Sequence, residues 1–120
     1  MYQNWIKSLY SGNRGISGGR IDVLAVIFKG KKIYNYGFNK YCSGNKMARA
    51  HNAWSTHAEM SVLQDYDAEG KTILVYREDY YGNPAMAKPC DICMLIIANS
   101  RIKRIIYSVP DMPFFTEVPR

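Results

Sequence analysis

Cysteine is scarce in this chain: three residues in 120, an odd number, two of them spaced as Cys90-x-x-Cys93. That count excludes a disulfide framework and suits metal binding better. Long apolar runs are missing too, and nothing approaches the ~20 residues needed to span a bilayer. The opening Met-Tyr-Gln-Asn-Trp lacks the basic, apolar and small-residue succession of a signal peptide. A cytoplasmic protein with no membrane partner is therefore expected. There are no internal repeats, low-complexity tracts or linkers, and 120 residues fit one domain spanning 1–120. With 48% hydrophobic and 22% charged residues the chain can close a core as an ordinary globule.

Acid is nearly absent from the first half. Residues 1–56 hold nine basic side chains against the single acid Asp22, a balance of +8, whereas residues 57–120 hold seven basic and nine acidic ones. A basic half favours a phosphate-bearing partner, either a nucleotide or single-stranded nucleic acid. A solvated surface kept for solubility would show the same charge.

Residues 2–10 can form a short helix with Tyr2, Trp5, Ile6 and Leu9 on one side, broken by the glycine-rich stretch from Ser11 to Gly19. Val23 to Phe28 is an aliphatic, β-branched run that reads as a buried strand, and Gly30-Lys31-Lys32 turns it into an alternating strand from Ile33 to Asn39. A loop follows towards Ser55. Ser55 or Thr56 can cap a helix through Ala58, Met60, Val62 and Leu63. Thr72 to Arg77 is a strong strand, 79–89 a loop, Cys90 to Asn99 an apolar helix behind Pro89, and Ile102 to Ser108 another strand.

Strands alternating with helices imply a mostly parallel sheet in an α/β fold with helices on both faces. After Ser108 only twelve residues remain, two of the first five being proline. A parallel partner needs a crossover of roughly a dozen residues before the strand itself. A last strand near Phe115 to Val118 must therefore return antiparallel, making the sheet mixed, with four to five strands.

The chemistry-bearing residues are His57-Ala58-Glu59 and, thirty residues after Glu59, Pro89-Cys90-Asp91-Ile92-Cys93. Two thiols three apart at a helix start project from one face and can chelate one ion. The helix N-terminus lowers thiol pKa and favours the thiolate that zinc binds. His57 supplies a third, neutral ligand, leaving a fourth tetrahedral position open, as a catalytic zinc requires. A closed structural site would need Cys42 or His51 as fourth ligand and would give Glu59 no reason for its place. Glu59, two residues from His57, points elsewhere and can shuttle protons between a water and a nucleobase losing its amino group.

H-x-E followed at a distance by P-C-x-x-C resembles the cytidine deaminase-like superfamily, whose signature it is. The resemblance covers nearly the whole chain and implies a three-layer fold, one Zn2+, and hydrolytic deamination of a nucleobase, cytosine before adenine. It also implies that Asn39, in Gly37-Phe38-Asn39, contacts the sugar or base, with Ala58 and Pro89 at the substrate pocket. A turn asparagine satisfying its own backbone is the plainer reading of Asn39.

Free-nucleoside cytidine deaminases typically carry Asn-x-Glu-Asn, Cys-Ala-Glu and Pro-Cys-Gly-x-Cys-Arg-Gln. This sequence has Asn39-Lys40-Tyr41-Cys42, His57, and Met94-Leu95 after Cys93. The tRNA-adenosine, deoxycytidylate and antibody-diversifying deaminases use histidine but place a helix between the last strands, for which there is no room. Toxin-like and viral deaminases combine a histidine ligand with a C-terminal hairpin, and this chain is most similar to those.

Between Asp79 and Pro89, Tyr80, Tyr81, Asn83 and Met86 precede the metal helix. Tyrosines beside a basic surface suit stacking on single-stranded bases, though the pair can equally pack on a sheet edge. Three readings follow: deamination of a free nucleotide or nucleoside, deamination within single-stranded DNA or RNA, and a non-catalytic zinc or nucleic-acid-binding module. A homo-oligomer is consistent with each.

Overall fold

A computed structural model describes residues 2–12, 23–41, 55–64, 66–79 and 81–119. Its elements in chain order are α1 (Tyr2–Gly12), β1 (Val23–Lys29), β2 (Lys32–Phe38), β3 (Lys40–Tyr41), β4 (Ser55–Thr56), α2 (Ala58–Leu63), β5 (Thr72–Arg77), α3 (Asp91–Asn99), β6 (Arg104–Ser108) and β7 (Phe115–Glu117).

β1 is buried from Leu24 to Phe28 because both its faces are covered, which is why it reads as a continuous apolar run. β2 alternates because it is an edge strand. The two are joined by Gly30-Lys31, with Lys29 opposite Lys32 and φ +61° at Gly30. A positive φ at the first of two loop residues is the pattern of a type II′ hairpin. Tyr34 is the extra residue where the register shifts between Ile27 and Phe28.

The main sheet has the order β2-β1-β5-β6-β7. Only β5 and β6 pair in parallel; β1–β2, β1–β5 and β6–β7 are antiparallel. The sheet is mixed, as expected, but with less parallel pairing than the alternation of strands and helices suggests. The reason is that the β1–β2 hairpin joins β5 through β1, running against it. The antiparallel return of the last strand holds: Ile106, Tyr107 and Ser108 face Glu117, Thr116 and Phe115. Arg104 donates to Glu117 Oε1 across the same pair, from Nε at 3.0 Å and Nη2 at 2.6 Å.

Successive residues of the central strands point to opposite faces and build two cores. Leu24, Val26, Phe28, Leu74, Tyr76 and Ile106 meet Ile6 and Tyr10 of α1. Ala25, Ile27, Ile73, Val75 and Ile105 meet α2 and α3. This is a three-layer α/β arrangement with an open five-stranded sheet. Among the described residues no helix is long and apolar enough to cross a membrane.

The layer carrying α2 lies close to β2. A Cβ on Gly37 would stand 3.1 Å from Val62 Cγ1 and 3.4 Å from Ser61 Cβ. The absent side chain lets Ser61 Oγ donate to the Phe38 carbonyl at 3.1 Å. Gly37→Val should push α2 off the sheet and cost about 1–3 kcal/mol as overpacking. Denaturant unfolding checks this, and an unchanged midpoint would show that the approach is not tight.

Candidate metal centre

The N-termini of α2 and α3 meet at one place, and each contributes by a local rule. His57 is the N-cap residue of α2, with extended φ −72° and ψ 157°. Its carbonyl starts the helix by accepting from Ser61 N at 3.0 Å, but its side chain does not cap. The imidazole is turned to the thiols instead, with Nδ1 3.2 Å from Cys93 Sγ and 3.5 Å from Cys90 Sγ. Cys90 is the N-cap of α3, and its Sγ accepts from Cys93 N at 3.5 Å. The helices therefore start one residue later than the cysteine-led boundary, and Ser55 and Thr56 do not cap α2. They form β4, paired with Tyr41 and Lys40 of β3.

The ligand atoms of His57, Cys90 and Cys93 all lie within 4.8 Å of one another. Tetrahedral zinc, with bonds of about 2.3 Å to sulfur and 2.0–2.1 Å to nitrogen, sets its ligand atoms roughly 3.5–3.8 Å apart. The distances and the soft donor set both fit zinc. Cys93 is fully buried, His57 partly so, and Cys90 is exposed, so the site opens on one side. Burial, with Glu59 and Cys90 nearby, pushes the Cys93 thiol up; zinc must displace its proton.

Glu59, in the first turn of α2, is 5% exposed. Burial raises its pKa above the ordinary carboxylate value. A backbone hydrogen bond, the charge of His57 and a hydrogen bond with Cys93 pull it the other way. The carboxylate is thus buried beside the His57, Cys90 and Cys93 cluster with its charged form disfavoured.

Of the residues expected to contact substrate, Asn39 is buried at the end of β2, where its Oδ1 accepts from Val23 N at 2.8 Å. That bond bridges to β1 instead of satisfying Asn39's own backbone. Ala58 has no exposed surface and packs with Cys93 and Ala87, and Pro89 is buried ahead of Cys90. Tyr81 is 90% exposed, so it does not pack on the sheet edge. Tyr80, Cys42 and His51 lie outside the described residues.

The segment before Pro89 is more ordered than its loop-like composition implies. Asp79 Oδ1 accepts from Tyr81 N and Asn83 N, both at 2.9 Å, and Glu78 bridges Pro84. Ala85 N then bonds Arg77 O at 2.8 Å, and Ala87 N bonds Ser108 O at 3.0 Å. Ser108, absent from the sequence-derived candidates, is among the buried polar residues. A serine closing an apolar strand gives no sequence signal of such a role.

Two of the solved structures that share this fold are of one phage protein. The dCMP deaminase from the cyanophage S-TIM5 in apo form matches with a TM-score of 0.59 at 20% identity, over 89% of this chain and 81% of that one. The same phage protein in complex with dCMP and dUMP matches with a TM-score of 0.59 at 19% identity, over 90% and 80%. No curated protein matches the chain. The model of the cytidine and deoxycytidylate deaminase zinc-binding region matches residues 6–109, which hold all three metal-binding side chains and Glu59. The chain belongs to this family of zinc-dependent hydrolytic deaminases.

Proposed function

We propose that the protein deaminates cytosine to uracil in a free nucleotide, deoxycytidylate being the first candidate, with Glu59 as proton carrier. The observation that carries this reading is the buried Glu59 beside His57, Cys90 and Cys93. His57, Cys90 and Cys93 would hold the zinc, which when bound would lower the pKa of a water towards neutrality. Glu59 takes the water's proton and delivers it to the ring nitrogen while the water oxygen adds at C4. Glu59 then takes the proton of the hydroxyl added at C4 and passes it to the 4-amino group, which leaves as ammonia as the C4–O bond becomes the carbonyl of uracil. Ala58 and Pro89, both buried, back the pocket from beneath, and Asn39 orients sugar or base from the end of β2. The nucleotide choice is supported by the basic first half of the chain and by the dCMP and dUMP found in the phage protein.

Incubating zinc-loaded protein with dCMP, CMP, cytidine, deoxycytidine and a mixed single-stranded oligonucleotide, then measuring uracil, tests this. Fastest turnover of a mononucleotide is the expected result, and no turnover of any substrate would defeat the catalytic reading.

A second reading, deamination within single-stranded nucleic acid, is favoured by Tyr81, an aromatic ring held in solvent on a hydrogen-bonded loop. If it holds, oligonucleotide turnover should fall as a power of salt concentration. Replacing Lys40, Lys46 and Arg49 by alanine should then flatten that dependence without changing zinc content. A mononucleotide engages one or two of them at most, and its turnover should respond mildly to salt.

A further inference from the structure

Parallel pairing of β5 with β6 stops at Val75 and Tyr107. Beyond that point the strand ends part, and residues 85–87 lie between them as a strap. Ala85 N bonds Arg77 O at 2.8 Å on the β5 side, and Ala87 N bonds Ser108 O at 3.0 Å on the β6 side. The split leaves Arg77 N–H facing the gap and Ala85 C=O in need of a donor. One side chain serves both. Ser108 Oγ accepts from Arg77 N at 3.1 Å and donates to Ala85 O at 2.7 Å. Ser108 has no exposed surface, so water does not compete for these bonds.

The strap leads straight into the metal centre. Ala87 is buried in the same cluster as Ala58 and Cys93, and two residues later comes buried Pro89, followed by Cys90. Cys90 itself is exposed and caps α3, so little around its own side chain fixes it. The direction in which the chain enters α3 has to be set upstream.

We infer that Ser108 is a positioning residue of the metal centre: by tying the strap to the ends of β5 and β6, its hydroxyl fixes where Cys90 meets His57 and Cys93. This rests on the assignment of zinc to those three residues and not on the choice of substrate. Groups that orient ligands without touching the metal typically change its affinity by roughly 10–100-fold when removed.

The test is a series at position 108 read by zinc affinity, from competition with a chromophoric chelator, and by the absorption spectrum of the cobalt-substituted protein. Ser108→Thr keeps the hydroxyl and should retain wild-type affinity. Ser108→Cys keeps the shape with a weak hydrogen-bonding group and should bind more weakly. Ser108→Ala should lose about ten-fold and shift the cobalt bands as the sulfur ligation relaxes. Ile106→Val weakens β6 in the core under α1, across the sheet from the metal centre; it should lower the melting temperature yet leave affinity and spectrum unchanged. If Ser108→Ala does not fold, the serine, threonine and cysteine proteins still decide. Equal affinity across the series, with tight binding by the wild type, overturns the inference alone. Loss of affinity in Ile106→Val matching that in Ser108→Ala also overturns it, because general weakening of β6 would then suffice. A wild-type protein that binds no zinc overturns the metal assignment itself.

Discussion

Glu59→Gln should keep zinc and fold while lowering kcat by about 10⁴-fold, the upper end of what a positioned acid–base group contributes. The upper end applies because the same carboxylate handles the proton at several points in the reaction. In the proposed reaction it takes the proton from water, gives it to the ring nitrogen and later serves the departing amine. Glutamine matches glutamate in shape, so the cavity in the first turn of α2 stays filled, and only the capacity to carry a proton goes. The zinc content, read by atomic absorption, should remain at one per chain because Glu59 is not among the three clustered ligands. Burial disfavours the charged carboxylate here. The metal-free variant should therefore melt at the same temperature as the wild type or higher, the usual sign of a site built for function at some cost in stability. Loss of zinc together with activity would make Glu59 a structural prop. Undiminished turnover would mean that the proton travels by another route.

The cluster of His57, Cys90 and Cys93 was legible in the sequence because its chemistry is local. Cys90 and Cys93 sit one helical step apart, and His57 and Glu59 share the first residues of another helix. Thr72 to Arg77 was legible because a strand covered on both faces needs no alternation, only a run of residues that fit a buried pleat. Strand direction was not. Whether β1 runs with or against β5 depends on the course of the chain between Asn39 and His57, and no periodicity encodes that. The short ribbon of β3 and β4 lies in the same stretch, and Ser55 and Thr56, good capping residues by type, are used in it instead. The strap at 85–87 was illegible for a different reason. Asn83-Pro84 and Pro89 punctuate it, and alanine has little strand preference, so it reads as loop. Its order comes from Arg77 and Ser108, eight and twenty-one residues away from its nearer ends.

Cys90→Ala and Cys93→Ala should each abolish zinc binding and activity, but their metal-free forms should differ in stability. Cys90 is exposed, and its 3.5 Å contact with Cys93 N is a weak cap. Truncating it should change stability by within about 0.5 kcal/mol, as for other surface sites. Cys93 is fully buried among Ala58, Ile96 and Ile97, and without metal its thiol stays protonated and packs as a small apolar group. Removing that sulfur should leave a void costing about 1–2 kcal/mol. Added zinc widens the deficit of both variants by the same amount and leaves the difference between them unchanged. The wild type gains stability by mass action, about 4 kcal/mol at a thousand times Kd, and neither variant shares in it because two ligands do not replace three. Melting curves with chelator and with excess zinc give all six values. A zinc-dependent rise in Cys90→Ala as large as the wild type's would remove Cys90 from the ligand set. Equal metal-free stability of the two variants would mean that Cys93 contributes to the fold only through the metal.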